Sequence, residues 1–187
     1  MKSTLFIRSI KRALFLLALG FGVQTYAATP LAQFSSSKNQ TITNPNALIN
    51  ITMGNNDTVL PTDDMNALML DSQKALIISS NGYYFIVAAG QVGALPGSKA
   101  KGFVDIWLTQ NDTVVPNSGC RQSVDQSSTT SVLVSQTIVW CNKGDKIGVQ
   151  IAANQKDLGL IYTSRSSTPV ASSEADIPSI IFSIFKL

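Results

Sequence analysis

The stretch Ser80–Gly90, SNGYYFIVAAG, limits what this chain can fold into more than any other. Asn81-Gly82 is a turn signal. Behind it run aromatic, β-branched and small apolar residues with hardly a polar position. A strand covered on one face alternates apolar and polar residues. This one does not alternate, so the fold must place something against both of its faces. The closing segment makes the same demand. In IIFSIFKL, Ile180, Phe182 and Ile184 share one face, and Ile181, Phe185 and Leu187 share the other, with Ser183 between.

The first residues stand apart. Lys2, Arg8, Lys11 and Arg12 precede an apolar run from Ala13 to Val23, and Thr25-Tyr26-Ala27 puts small residues at the usual cleavage spacing. Residues 1–27 read as a secretory signal peptide. The apolar run has 11 residues, whereas a membrane span needs about 20, so no transmembrane segment is expected after cleavage. The whole chain has 14 Lys and Arg against 11 Asp and Glu. The leader holds four of the cations and no acid, so the remainder carries 10 against 11. No basic patch is left to argue for nucleic acid or anionic lipid. The expected location is secreted, extracellular or periplasmic. In an exported protein, Cys120 and Cys141 read as a disulfide, closing a loop of about 20 residues and stabilising by roughly 3 kcal/mol on chain-entropy grounds.

Beyond the leader the chain is rich in Ser, Thr, Asn, Val and Ile, with a single Glu (Glu174) and no His. That usage fits strands and turns rather than helices. Residues 28–39 read as a flexible lead-in and 40–187 as one domain. Strands are expected over Ala47–Met53, Lys74–Ser79, Tyr83–Val92, Phe103–Leu108, Ser131–Trp140, Lys146–Ile151, Leu158–Thr163 and Ile180–Leu187, with a short one at Val114-Val115. In Lys146–Ile151 the alternation is clean: Ile147, Val149 and Ile151 share a face. Gly54–Asp57, Pro61–Asp64, Pro96–Lys99, Gln110–Thr113 and Asn142–Asp145 read as turns or loops, Ser164–Ala175 as a polar loop, and Cys120–Thr130 as largely loop. Short strands at regular spacing with turns between them mean an all-β sandwich or barrel.

No catalytic constellation emerges. Without His, Ser-His-Asp and Cys-His chemistry are excluded. Paired carboxylates would have to come largely from Asp57, Asp63, Asp64, Asp112, Asp145 and Asp157, which sit in turns and read as turn formers. An enzyme using Asp alone is the weaker reading. Two Cys without His make a poor metal site. A Ca²⁺ site built from turn aspartates and carbonyls is chemically open, but no EF-hand spacing occurs and no ligands are assigned. Trp107 and Trp140 lie in otherwise apolar strands, which points to core or interface packing before sugar stacking. Asn39, Asn50, Asn56 and Asn111 head Asn-x-Thr sequons, relevant only to a eukaryotic secretory route.

Four segments, in order, resemble the globular head of the complement C1q and tumour necrosis factor superfamily. NGYYFIVAA resembles its Gly-x-Tyr-x-Phe strand through Gly82 and Tyr84, with Ile86 where the family has Phe. FVDIWLTQND resembles the next strand and its turn. KGDKIGVQI resembles the Gly-Asp-x-Val-x-Leu segment through Gly144, Asp145, Ile147 and Val149, and PSIIFSIFKL resembles the closing strand, without the glycine before its aromatic. The likeness covers about residues 70–187. It implies a jelly-roll β-sandwich of about ten antiparallel strands that assembles as a homotrimer, with both two-faced strands packed around the three-fold axis. The subunit interface so implied includes Tyr84, Ile180, Phe182, Ile184 and Phe185. The function implied is a non-enzymatic recognition or adhesion module for a host, matrix or cell-surface protein or glycan. The rival is a monomeric carbohydrate-binding β-sandwich. A small outer-membrane barrel is opposed by Lys146, Gly148 and Gln150 on one strand face.

Overall fold

The computed structural model describes residues 30–54, 69–71, 74–125, 129–164 and 176–187, and among these every regular element is a strand. The expected signal peptide and the turn at Pro61–Asp64 lie outside these residues, as does most of the Ser164–Ala175 loop. The described strands are β1 (Pro30–Ser36), β2 (Gln40–Thr41), β3 (Ile49–Asn50), β4 (Met69–Asp71), β5 (Ala75–Ile77), β6 (Gly82–Ala94), β7 (Gly102–Gln110), β8 (Thr113–Val114), β9 (Cys120–Val124), β10 (Ser131–Cys141), β11 (Lys146–Ala153), β12 (Leu158–Leu160) and β13 (Ile180–Lys186).

They form two antiparallel sheets, and the all-β jelly-roll expectation holds. In the first, β6 lies between β10 and β13, and β1 pairs with the far side of β13. β12 continues the β13 side of β6 and carries β2. In the second, β11 and β7 are central. β5 and β3 share the outer side of β11, β4 extends β5, and β8 and β9 share the outer side of β7. Consecutive strands often fall in opposite sheets, which is how a jelly roll wraps.

The core lies between the sheets. Phe34, Tyr84, Ile86, Ala88, Ile180, Phe182 and Ile184 come from the first; Val104, Ile106, Leu108, Ile147, Val149 and Ile151 come from the second. The face predicted for Ile147, Val149 and Ile151 is the buried one. Gly159 is dictated by close approach: a Cβ there would sit 2.3 Å from the Gln40 carbonyl oxygen and 2.7 Å from Thr41 Cα, where β2 pairs with β12.

Three expectations are corrected. The lead-in is not a tail: β1 buries Ala32, Phe34 and Ser36. Phe34 meets Phe182 at a ring-centroid distance of 6.4 Å, and the Ser36 carbonyl accepts bonds from the Ser179 amide and hydroxyl. Its Ser- and Gln-rich composition reads as linker because the apolar contacts are supplied by β13. The segment after Cys120 is strand to Val124, not loop. Its polar outer face is satisfied across strands: Arg121 pairs with Asp105 at 2.7 Å and lies 3.9 Å above the Phe103 ring. In Ala47–Met53 only Ile49–Asn50 pairs as strand.

The disulfide is also corrected, for Cys120 and Cys141 are both free thiols. They belong to different sheets, Cys120 opposite Ile106 and Cys141 opposite Gly82. Ser118, two residues before Cys120, accepts a bond from Ser135 at 2.6 Å. Ser135 lies six residues back along β10 from Cys141, about 20 Å of extended chain. A cystine needs Cα atoms within about 7 Å, and no bond joins the two sulfurs here.

Candidate subunit interface

The outer face of the first sheet can be followed row by row through its register. Residues directly opposite in antiparallel strands share a face. At one end Trp140 lies opposite Tyr83, and the Leu187 amide donates to the Tyr83 carbonyl. The next row is Ile138, Phe85 and Phe185; the middle row is Gln136, Val87, Ser183 and Gln33; the fourth is Val134, Ala89, Ile181 and Ser35. Val132 closes the β10 side opposite Gln91, which is buried and clamps Ile161 and Thr163 through its amide. None of the residues in these rows is charged.

This face is wet in a single copy. Val132 is 65% exposed, Ile138 59% and Tyr83 56%. Aromatic contacts order the rows: Tyr83 and Trp140 meet edge to face at 5.0 Å, and Phe85 and Phe185 are tilted at 5.9 Å. Among the described residues β10 pairs only with β6, so no described strand covers its other edge. That strand, SVLVSQTIVWC, has no Pro, Lys or other charge of the kind that protects exposed edges.

A hydrogen-bonded turn holds the aromatic end. Asp145 accepts bonds from Gln110 Nε2 at 2.7 Å, Asn111 Nδ2 at 2.9 Å and the Asn142 amide at 2.8 Å. Gln110 Nε2 also donates to the Trp140 carbonyl at 3.1 Å. The Asn111, Asn142 and Gln110 bonds hold the Asp145 carboxyl below its ordinary value, slightly offset by burial. On the opposite side of the same end, Lys186 Nζ donates to Ser80 Oγ at 2.7 Å, and Tyr84 donates to the Ser80 carbonyl at 2.8 Å. The turn that opens β6 is thereby tied to the strand that ends the chain.

Four of the five residues expected at the interface face the other way. Tyr84, Ile180, Phe182 and Ile184 point into the protomer core and are at most 1% exposed. Phe185 alone stands on the outer face. The residues that compose that face, Tyr83, Phe85, Val87, Ile181 and the outer side of β10, belong to the opposite parity. Sequence shows that both faces are apolar but not which one the second sheet covers. The Trp140 ring lies on the outer face, while Trp107 is half-buried, with its Nε1 2.7 Å from where a Cβ on Gly119 would sit.

Elsewhere, a cleft of about 550 Å³ lies between the Pro96–Lys99 loop and Ile161–Ser164, and one of about 280 Å³ is lined by Asn50, Lys74, Thr109, Asp112 and Lys146. Neither lining brings two carboxylates together. Among the described residues no three His, Cys, Asp or Glu side chains gather as a metal site, and no helix is long and apolar enough to cross a membrane.

No family profile and no curated protein matches this sequence. Among solved structures, the fold matches murine APRIL, a tumour necrosis factor-type jelly roll, crystallised at pH 5.0. The TM-score is 0.54 at 13% identity, over 84% of this chain and 98% of that one. The fold is therefore a tumour necrosis factor-like jelly roll.

Proposed function

We propose that the protein is a secreted, non-enzymatic recognition module whose jelly-roll head assembles as a homotrimer and contacts a host, matrix or cell-surface partner through its loops. The uncharged outer face of the first sheet carries this reading. An uncharged, largely apolar face beside an edge strand without charge or Pro is a liability in a lone copy and an asset when identical copies cover it. A patch on one copy meeting a different patch on the next closes into a ring when the rotation allows. The likeness to murine APRIL in fold supports the same arrangement.

One observation favours an alternative. The exposed Tyr83–Trp140 pair could lie against a sugar ring in a solitary carbohydrate-binding protein. Native mass spectrometry of the purified protein, with and without chelator and reductant, separates the readings. A trimer is expected; a monomer at every concentration that binds glycans through Trp140 would overturn the homotrimer in favour of the alternative.

A further inference from the structure

We propose that the middle row of the apolar face, and Gln136 above all, fixes the register in which copies of this chain meet; this rests on the homotrimer reading above. The rows on either side of it present Ile138, Phe85 and Phe185, or Val134, Ala89 and Ile181. Such rows set register weakly, because one aliphatic or aromatic contact replaces another at small cost when a face slides. The middle row behaves differently. Gln136, Ser183 and Gln33 are polar, and they lie in line across β10, β13 and β1 with Val87 among them.

Within one copy Ser183 Oγ donates to Gln33 Oε1 at 3.4 Å, so those two are already joined. For the Gln136 side-chain amide, the described residues supply no hydrogen-bond partner inside the copy. It is exposed on β10, the strand whose outer edge no described strand covers. When a neighbour covers this strand, the Gln136 amide either meets a polar group or is left buried without one, which is disfavoured. An amide carries both donors and an acceptor. In a ring that brings the three β10 strands to its axis, the N–H of one Gln136 would donate to the amide oxygen of the next, and three would close a circuit. A slide of one row would place the amide against Phe85, Phe185 or Ile181 instead. A single polar position in an apolar seam selects register and partner in the same way in coiled coils. The partner specified is a second and third copy of this chain, in preference to any surface that offers only apolar groups.

The test compares the wild-type protein with Gln136→Leu and Gln136→Glu by sedimentation velocity and native mass spectrometry over a dilution series, with far-ultraviolet circular dichroism to confirm folding. Wild type is expected as a single trimeric species. Gln136→Leu is expected to stay associated but to distribute over several species. Gln136→Glu is expected to raise the concentration for half-assembly by about tenfold or more at neutral pH, as three carboxylates are brought together, and to recover as they protonate near pH 4. If both variants form the same single trimer as wild type at every dilution and pH, the register role is overturned and the homotrimer stands. If the wild-type protein is a monomer throughout, both fall.

Discussion

Replacing Phe182 and Phe185 by alanine, one at a time, tests the parity of the closing strand and with it the whole assignment of inner and outer faces. The two residues are three apart in one strand and look equivalent in sequence. Phe182 is fully buried and packs on Phe34. Truncating a buried Phe costs about 3–5 kcal/mol, and in a chain of this size each 1 kcal/mol lowers Tm by roughly 2–4 °C. Phe182→Ala should therefore lose about 6–20 °C, whatever the state of assembly. Phe185 lines no part of the core and touches Phe85 on the outer face, a contact worth about 1 kcal/mol. Its alanine variant should shift the unfolding of a separated protomer by only a few degrees. In a trimer each copy loses apolar contact with its neighbour of about 1–2 kcal/mol, together about 3–6 kcal/mol per assembly, which lowers the association constant by about two to four orders of magnitude. Thermal loss of near-ultraviolet circular dichroism reads the first effect, and sedimentation velocity on serial dilution reads the second. The reasoning fails if Phe185→Ala destabilises the fold as deeply as Phe182→Ala while leaving assembly unchanged, or if Phe182→Ala leaves Tm where it was.

Three further outcomes follow from local geometry. The Asp145 carboxyl is held below its ordinary value in the folded state, so its contribution is fully present above the unfolded carboxyl range and is lost as pH falls through the lower folded value. Tm recorded from pH 7 down to pH 3 should show an acid decline that is shallower in Asp145→Asn; identical profiles would remove the network from the account. Burial, aided by the nearby Asp145 charge, raises the Cys141 thiol to about 11, whereas Cys120 is partly exposed. A thiol reagent at pH 8 should label Cys120 quickly and Cys141 only after denaturation, and a denatured, unreduced sample with no reactive thiol would restore the disulfide. Gly159→Ala should lower the urea midpoint, because the new methyl meets backbone on β2 and overpacking of this kind costs about 1–3 kcal/mol; an unchanged midpoint would mean that β2 is not held where it is described.

Much of the fold was legible because its signals are local. Asn81-Gly82 followed by Tyr83–Ala89, the alternation of Ile147, Val149 and Ile151, and the turn at Asn142–Asp145 each state their structure within a few residues. β1 and β9 were not legible for the opposite reason. Phe34 is buried because Phe182 arrives from the far end of the chain, and Arg121 is at home in a strand because Asp105 and Phe103 stand across from it. The thiols misled because export and pairing are correlated across proteins, while bridging depends on a distance no spacing reveals. The network around Asp145 could have been suspected from the Gln110-Asn111 and Asn142–Asp145 turns, but only folding brings those two turns together.

The sequence by itself determined that this is a β protein without histidine chemistry, built of short strands, two of which are apolar on both faces. Side-chain period along a strand is a local property, so a reader of the chain can find both faces. Which face meets the second sheet is not local. It depends on where β7 and β11 come to rest, and a shift of one residue would exchange inside for outside. The tertiary structure made that choice: it put Tyr84, Phe182 and Ile184 within the protomer, and left Tyr83, Phe85, Ile138 and Trp140 facing out, where another molecule can cover them.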